Sequence, residues 1–187
     1  APVVDIPQGL LEPFILLEQQ GNDLGERMLN SLKQVLEHYP AAIILGSDLP
    51  QLEVKTLQEA AQLLYVNDIV LGPCSDGGYY LLGVKHPYPF LFNNLPWGND
   101  QVLRLTSERA KEQKLKLALL GINRDLDQWE DLLFFIEQGE VEKRLHRLHS
   151  YRYISNLKVI KEALERGNLN ENTDKANMQQ SSGGVSS

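Results

Sequence analysis

The sequence predicts an α/β layered fold with a mostly parallel sheet. Short apolar runs alternate with amphipathic stretches of about ten to fifteen residues along most of the chain. Two of those runs, Ala41–Leu45 and Asp68–Leu71, are nearly unbroken rather than alternating, the pattern of strands buried on both faces.

The elements follow in order. Pro2, Pro7 and Gly9 leave the opening dozen residues without a clear period, and Phe14–Leu17 then reads as a short strand. Asp23-Leu24-Gly25-Glu26 has the form of a capping box. Behind it Leu24, Met28, Leu32, Val35 and Leu36 share one face of a helix that runs to about His38 and stops before Pro40. Strand Ala41–Leu45 gives way to the loop Gly46–Pro50, and a helix from about Glu53 to Leu64 carries Leu57, Ala60, Ala61 and Leu64 on its apolar face. Asp68–Leu71 is a buried strand ended by Gly72-Pro73; Ser75–Gly78 is a turn, and Tyr79–Val84 leaves it as a strand that adds an antiparallel element.

After the Pro- and Phe-rich loop His86–Phe92, Asn99 has the place of an N-cap for a helix over about Asp100–Gln113, with Val102, Leu103 and Leu105 apolar. Leu115–Leu120 is a further strand and Asn123–Asp127 a polar loop. Trp129, Leu132, Leu133 and Ile136 define a helix over Gln128–Gln138, closed by Gly139. A basic helix from Val141 to about Arg166 follows, and the Asn/Gln/Ser/Gly-rich tail 168–187 has too few apolar residues to repay the entropy of ordering. The organisation expected is therefore a body at 1–140, a basic helix at 141–167 and a disordered polar tail at 168–187.

Composition narrows the function classes. At 187 residues, with 42% hydrophobic and 23% charged residues, the chain can bury a full core without staples, and the single Cys74 rules out an intramolecular disulfide. No apolar run approaches the ~20 residues of a membrane span, and no signal peptide opens the chain, so the expectation is a soluble, cytoplasmic protein without a membrane partner. The net charge of −7 divides into −10 over residues 1–140 and +3 over 141–187. An acidic body argues against a nucleic-acid surface, which needs clustered cations, but not against phosphorylated ligands held through a metal.

Ligands of open α/β sheets bind outside the carboxyl ends of the strands. Asp48 stands three residues past Leu45, Asp76 follows the strand ending at Leu71, and Asp125 and Asp127 follow the strand ending at Leu120. Three strand ends thus bring carboxylate to one rim. Carboxylates brought together repel unless a cation intervenes, and Mg²⁺ takes one or two of them while leaving positions for water and phosphate oxygens. The i, i+2 spacing of Asp125 and Asp127 puts both on one side of an extended segment. Each acid also has a plain reading: a turn former at Asp48 and Asp76, an N-cap at Asp127. The combination carries the inference.

Gly77 and Gly78 can admit close backbone approach to a sugar or phosphate, or simply make a good turn. Arg27, beside the Gly21–Glu26 helix start, is a candidate phosphate contact, or a surface arginine on a capped helix. Trp97 can stack on a base or sugar, or serve as a buried anchor. Cys74 has no neighbouring base for nucleophilic work. His146 and His149 lie among Lys143, Arg144, Arg147 and Arg152, a face poor for a metal.

The order of the segments Gln20–Met28, Gly46–Pro50, Gly72–Gly83, Leu91-Phe92 with Trp97-Gly98, and Asp125-x-Asp127-x-x-Glu130-Asp131-Leu132 resembles a known family. It is similar to the bacterial-type GT-A glycosyltransferases associated with arsenosugar biosynthesis, relatives of the molybdenum-cofactor and 2-phospho-lactate nucleotidyltransferases, over about residues 14–138. The resemblance implies a Rossmann-like nucleotide-diphospho-sugar transferase fold, a three-layer sandwich. It also implies a Mg²⁺- or Mn²⁺-dependent transferase taking an NDP-sugar or NTP donor and a small-molecule acceptor. Asp48 would match the metal-binding acid after the central strand, Asp127 or Asp125 the second acid, and Asp76 with Gly77 and Gly78 the segment touching the transferred group. The chain departs from the family in carrying Gln128-Trp129 where Thr-Pro is usual, and in having no Gly-x-x-x-Lys-Thr-Arg loop. By that comparison it is N-terminally incomplete, starting at about the family's third strand. This motivates a rival expectation, a catalytically silent truncated isoform or fragment acting through protein contacts. Phosphatase chemistry is disfavoured, because no Asp-x-Asp-x-[TV] follows a first strand.

Overall fold

The structure, a computed structural model, describes residues 14–164. It divides into two units, Ala1–Gly46 with Glu53–Asn123, and Ser47–Leu52 with Arg124–Ser187. The basic stretch beyond 164 and the polar tail expected at 168–187 lie outside the described residues.

The first unit is built on α1 (Leu24–Leu36), β1 (Ala42–Leu45), α2 (Val54–Val66), β2 (Ile69–Pro73), β3 (Tyr79–Val84), α3 (Val102–Glu112) and β4 (Leu117–Leu119). Its sheet has the order β1-β3-β2-β4. Here the expected mostly parallel sheet is corrected to a mixed one: β3 pairs antiparallel with both β1 and β2, and only β2–β4 is parallel. The reason lies in the connections. A turn as short as 74–78 cannot carry a crossover, so β3 must reverse on β2. Inserted between β1 and β2, β3 separates two strands that α2 nonetheless keeps pointing the same way.

Burial follows the apolar runs. All of β2 is buried, and Ile69, Leu71 and Leu82 join Leu29 and Leu32 of α1, Leu91, Phe92 and Ala110 in one core. Each such aliphatic side chain contributes about 1.5–3 kcal/mol on leaving water. The inward face of α3 is Val102, Thr106 and Ala110, because residues four apart share a helical face; of the other apolar residues expected in this helix, Leu103 packs against the core and Leu105 is half-buried. The strand expected at Phe14–Leu17 does not form. Those residues find no β partner among the described residues, and Phe14 and Ile15 stand 71% and 81% exposed.

The second unit holds α4 (Trp129–Val141), a 3₁₀ turn (Lys143–Arg147) and α5 (His149–Asn156) around Phe135, Ile136, Leu145, Tyr151 and Ile160. Gly139 does not close α4 as expected; it lies inside the helix, buried, because the Tyr151 ring occupies the space a Cβ would need. The expected continuous basic helix is broken at Glu142 and Leu148, both in non-helical backbone, which lets Leu145 and Tyr151 fold inward. Trp129 remains 40% exposed, since α4 buries Phe135, Ile136 and Gly139 instead. Among the described residues no helix is long and apolar enough to cross a membrane.

Candidate functional site

The second unit contains both segments that carry the candidate metal ligands. The Leu126 N–H donates to the Asp48 carbonyl at 3.0 Å, and the Gln51 side-chain Nε2 donates to the Arg124 carbonyl at 2.5 Å. These two bonds lace 47–52 to 124–128, stretches more than seventy residues apart in the chain. One oxygen from each of Asp48, Asp125 and Asp127 consequently lies within 4.8 Å of the others. Asp48 and Asp127 are exposed and Asp125 half-buried.

Three carboxylates at that spacing repel one another by between about 1 and about 4 kcal/mol per pair, from a water-like to a protein-surface dielectric. Arg124, the cation next to Asp125 in the chain, is committed elsewhere. Arg124 Nε donates to Asp131 Oδ1 at 2.6 Å, and its guanidinium lies 4.7 Å from the Phe134 ring centroid. Asp131 Oδ2 accepts from Gln128 N at 2.8 Å and from Asp127 N at 3.2 Å. Partial burial pushes the Asp131 carboxyl upward, but the hydrogen bonds from Gln128 N, Arg124 and Asp127 N outweigh it and hold the group below its ordinary value. The all-oxygen donor set suits a hard divalent ion such as Mg²⁺ or Mn²⁺, and the exposure of two of the acids leaves room for water and phosphate oxygens. Gln51 Oε1 is buried and without a hydrogen-bond partner among the described residues, an acceptor beside the same backbone.

Asp127 is not the cap of α4, which begins after Gln128; the carboxylate serving that helix start is Asp131, three residues in. Asp131 was visible in the sequence only as part of a motif, and Arg124 and Gln51 carried no signal. A Gln-x-x-Asp capping pattern at 128–131 is the trace that points to Asp131.

The remaining candidates belong to the first unit. Asp76 Oδ1 accepts from Gly78 N at 2.9 Å, so this carboxylate organises its own turn. Gly77 sits at φ +91°, and the Asp100 backbone occupies the place of a Cβ; Leu103 N donates to the Gly77 carbonyl at 2.9 Å. Only glycine allows that approach at that φ. Arg27 is exposed, and its Nε donates to the Gly21 carbonyl at 3.2 Å. At the same helix start Asp23 Oδ1 accepts from Glu26 N at 2.7 Å, while Glu26 reaches back to Asn22 N rather than to the cap itself. The Trp97 indole packs on the core, where a Cβ on Gly25 would stand 2.8 Å from its Nε1. The His146 ring nitrogen Nε2 is engaged with the Gly139 carbonyl at 2.9 Å.

Comparison with known proteins gives two findings. The sequence pattern of the DUF2064 family, described as uncharacterized protein conserved in bacteria, matches residues 6–99. That match takes in Arg27, Asp48, Asp76–Gly78 and Trp97, and stops short of Asp125 and Asp127. Among solved structures, the chain is similar to one from Desulfovibrio desulfuricans G20 described as a "putative nucleotide-diphospho-sugar transferase", with 29% identity and a TM-score of 0.71. The likeness covers 76% of this chain and 62% of the other, so the chain spans less than two thirds of that protein's length. No curated protein matches. The chain's mixed α/β fold, with its four-stranded sheet, matches that of this structural neighbour.

Proposed function

The chain belongs to the DUF2064 family, and from that membership, its fold and its three gathered acids we propose that it is a metal-dependent transferase. On this reading it moves a glycosyl or nucleotidyl group from an NDP-sugar or NTP donor to a small-molecule acceptor. The observation that carries the reading is the meeting of Asp48, Asp125 and Asp127 from two distant segments. These side chains would hold Mg²⁺ or Mn²⁺. Such an ion, when bound, neutralises charge gathering on the departing phosphate.

The protein's own contribution is to hold the acids in place. The Leu126–Asp48 and Gln51–Arg124 hydrogen bonds fix the two segments before any ligand arrives, so little ordering entropy is lost on binding. The exposure of Asp48 and Asp127 would leave room for donor phosphate beside such an ion. Asp76, Gly77 and Gly78 are assigned to the transferred group, and Arg27 and Trp97 to the donor, on the strength of the family resemblance; the rigidity of the 75–78 turn supports a positioning role for its backbone.

The test is calorimetric titration of Mn²⁺, alone and with UDP- or GDP-sugars, into the wild type and Asp48→Asn. Metal binding that falls at least tenfold in the variant, together with metal-dependent nucleotide binding by the wild type, supports the proposal. Equal binding by the two proteins overturns it.

A further inference from the structure

We infer that the Arg124–Asp131 ion pair is a positioning element for the cation site, setting the spacing of Asp125 and Asp127 without itself touching the ion. The inference rests on the metal reading of the three acids and adds residues that neither the family match nor the neighbouring structure assigns. The 124–128 segment is neither helix nor strand, so no ladder of backbone bonds fixes it. Its conformation is held at named points. Asp131, anchored in the first turn of α4, accepts from the backbone of Asp127 and Gln128 and from Arg124 Nε. Arg124 is fixed in turn over Phe134, and its carbonyl receives Gln51 Nε2. Gln51 is itself tied, its carbonyl accepting from Arg144 Nη1 at 3.1 Å.

Asp125 and Asp127 therefore lie between two clamped points, Arg124 and Gln128. The pair is neutral as a whole. Its effect on an ion is geometric: release of either partner frees the two carboxylates to move apart, as their repulsion favours. A helix N-terminus suits the Asp131 carboxylate, and the planar guanidinium bonds and stacks at once, which an ammonium cannot do.

The experiment follows Mn²⁺ alone by electron paramagnetic resonance, measuring free ion against protein concentration and recording the bound spectrum, with circular dichroism at the same temperature. Variants are Arg124→Lys, Asp131→Asn and Asp48→Asn. The expected result is about tenfold weaker Mn²⁺ binding and a changed bound line shape in Arg124→Lys and Asp131→Asn, both folded, with a larger loss in Asp48→Asn. Should Asp131→Asn fail to fold, Arg124→Lys decides, since it keeps the charge. Affinity within twofold of wild type in folded Arg124→Lys, while Asp48→Asn loses binding, overturns this inference and leaves the metal site standing. Absence of Mn²⁺ binding in the wild type, or unchanged binding in Asp48→Asn, overturns both.

Discussion

The sheet of the first unit and the ligand-bearing segments of the second are held by different means. In the first, the sheet places fully buried Ile69, Val70, Leu71, Leu81 and Leu82 side by side, and its register is dictated by which residues must leave water. In the second, the candidate ligands sit on irregular backbone held by a few polar contacts around Asp131. Non-directional burial tolerates local change and penalises lost volume; directional contacts contribute less in total, yet each sets a particular distance. A substitution in the sheet unit should therefore lower stability, whereas one in the polar network should disturb geometry out of proportion to its effect on stability.

The largest effect expected is at Leu71, whose side chain is wholly buried in β2 between β3 and β4. Leu71→Ala should destabilise the protein by about 2–5 kcal/mol in urea unfolding, through lost transfer energy and the cavity left behind. A loss below about 1 kcal/mol would mean the sheet is packed too loosely for the contrast to hold. Gly139→Ala comes next, from the second unit's small core. The added methyl must displace Tyr151, which is buried and donates its hydroxyl proton to the Ile136 carbonyl at 3.2 Å. Overpacking of this kind costs about 1–3 kcal/mol, read as a lowered Tm.

Asp131 sharpens the comparison through pH. Its carboxyl is held below the ordinary carboxylate value in the folded protein, so on acidification the unfolded chain takes up this proton first. The stability contributed is complete above the unfolded value of about 4 and is lost as pH falls through the lower folded value. Asp131→Asn should thus remove part of the acid-side slope of stability against pH, and cost about 1.5–3 kcal/mol at neutral pH through the loss of charge-assisted hydrogen bonds. Thermal melts of both proteins across the acid range measure it; identical slopes would show that Asp131 does not carry the effect.

How much of this the sequence disclosed follows the same division. β1, β2 and α1 were legible because an unbroken apolar run or a 3.6-residue period is written in consecutive residues. The direction of β3 was only partly so: the turn at 75–78 announced an antiparallel strand, but its insertion between β1 and β2 depends on pairing across the sheet, which no local pattern records. The meeting of Asp48 with Asp125 and Asp127 could be expected from strand-end placement. The contacts that hold them could not, because Gln51 and Arg124 carry no sequence signal and Asp131 stands in a motif that does not disclose its partners. The absence of a strand at Phe14–Leu17 marks the converse limit: apolar character sufficed to predict a strand, but a strand also requires a neighbour to pair with.

The smallest effect separates ion pairs that look alike on paper. Arg104 donates through Nη1 to both Glu108 oxygens at 2.7 and 2.8 Å, close to the 2.6 Å of Arg124 and Asp131. Yet Arg104 and Glu108 are each more than half exposed on one face of α3, where water and salt compete and two long side chains must be ordered for the contact. Asp131 is 13% exposed and holds two backbone amides besides its arginine. Arg104→Ala should change stability by no more than about 0.5 kcal/mol, and that change should shrink as salt is raised. The measurement is a pair of urea titrations at low and high ionic strength beside Asp131→Asn. A loss at Arg104 as large as that at Asp131 would mean that distance alone, rather than burial and anchorage to the backbone, governs what these pairs contribute.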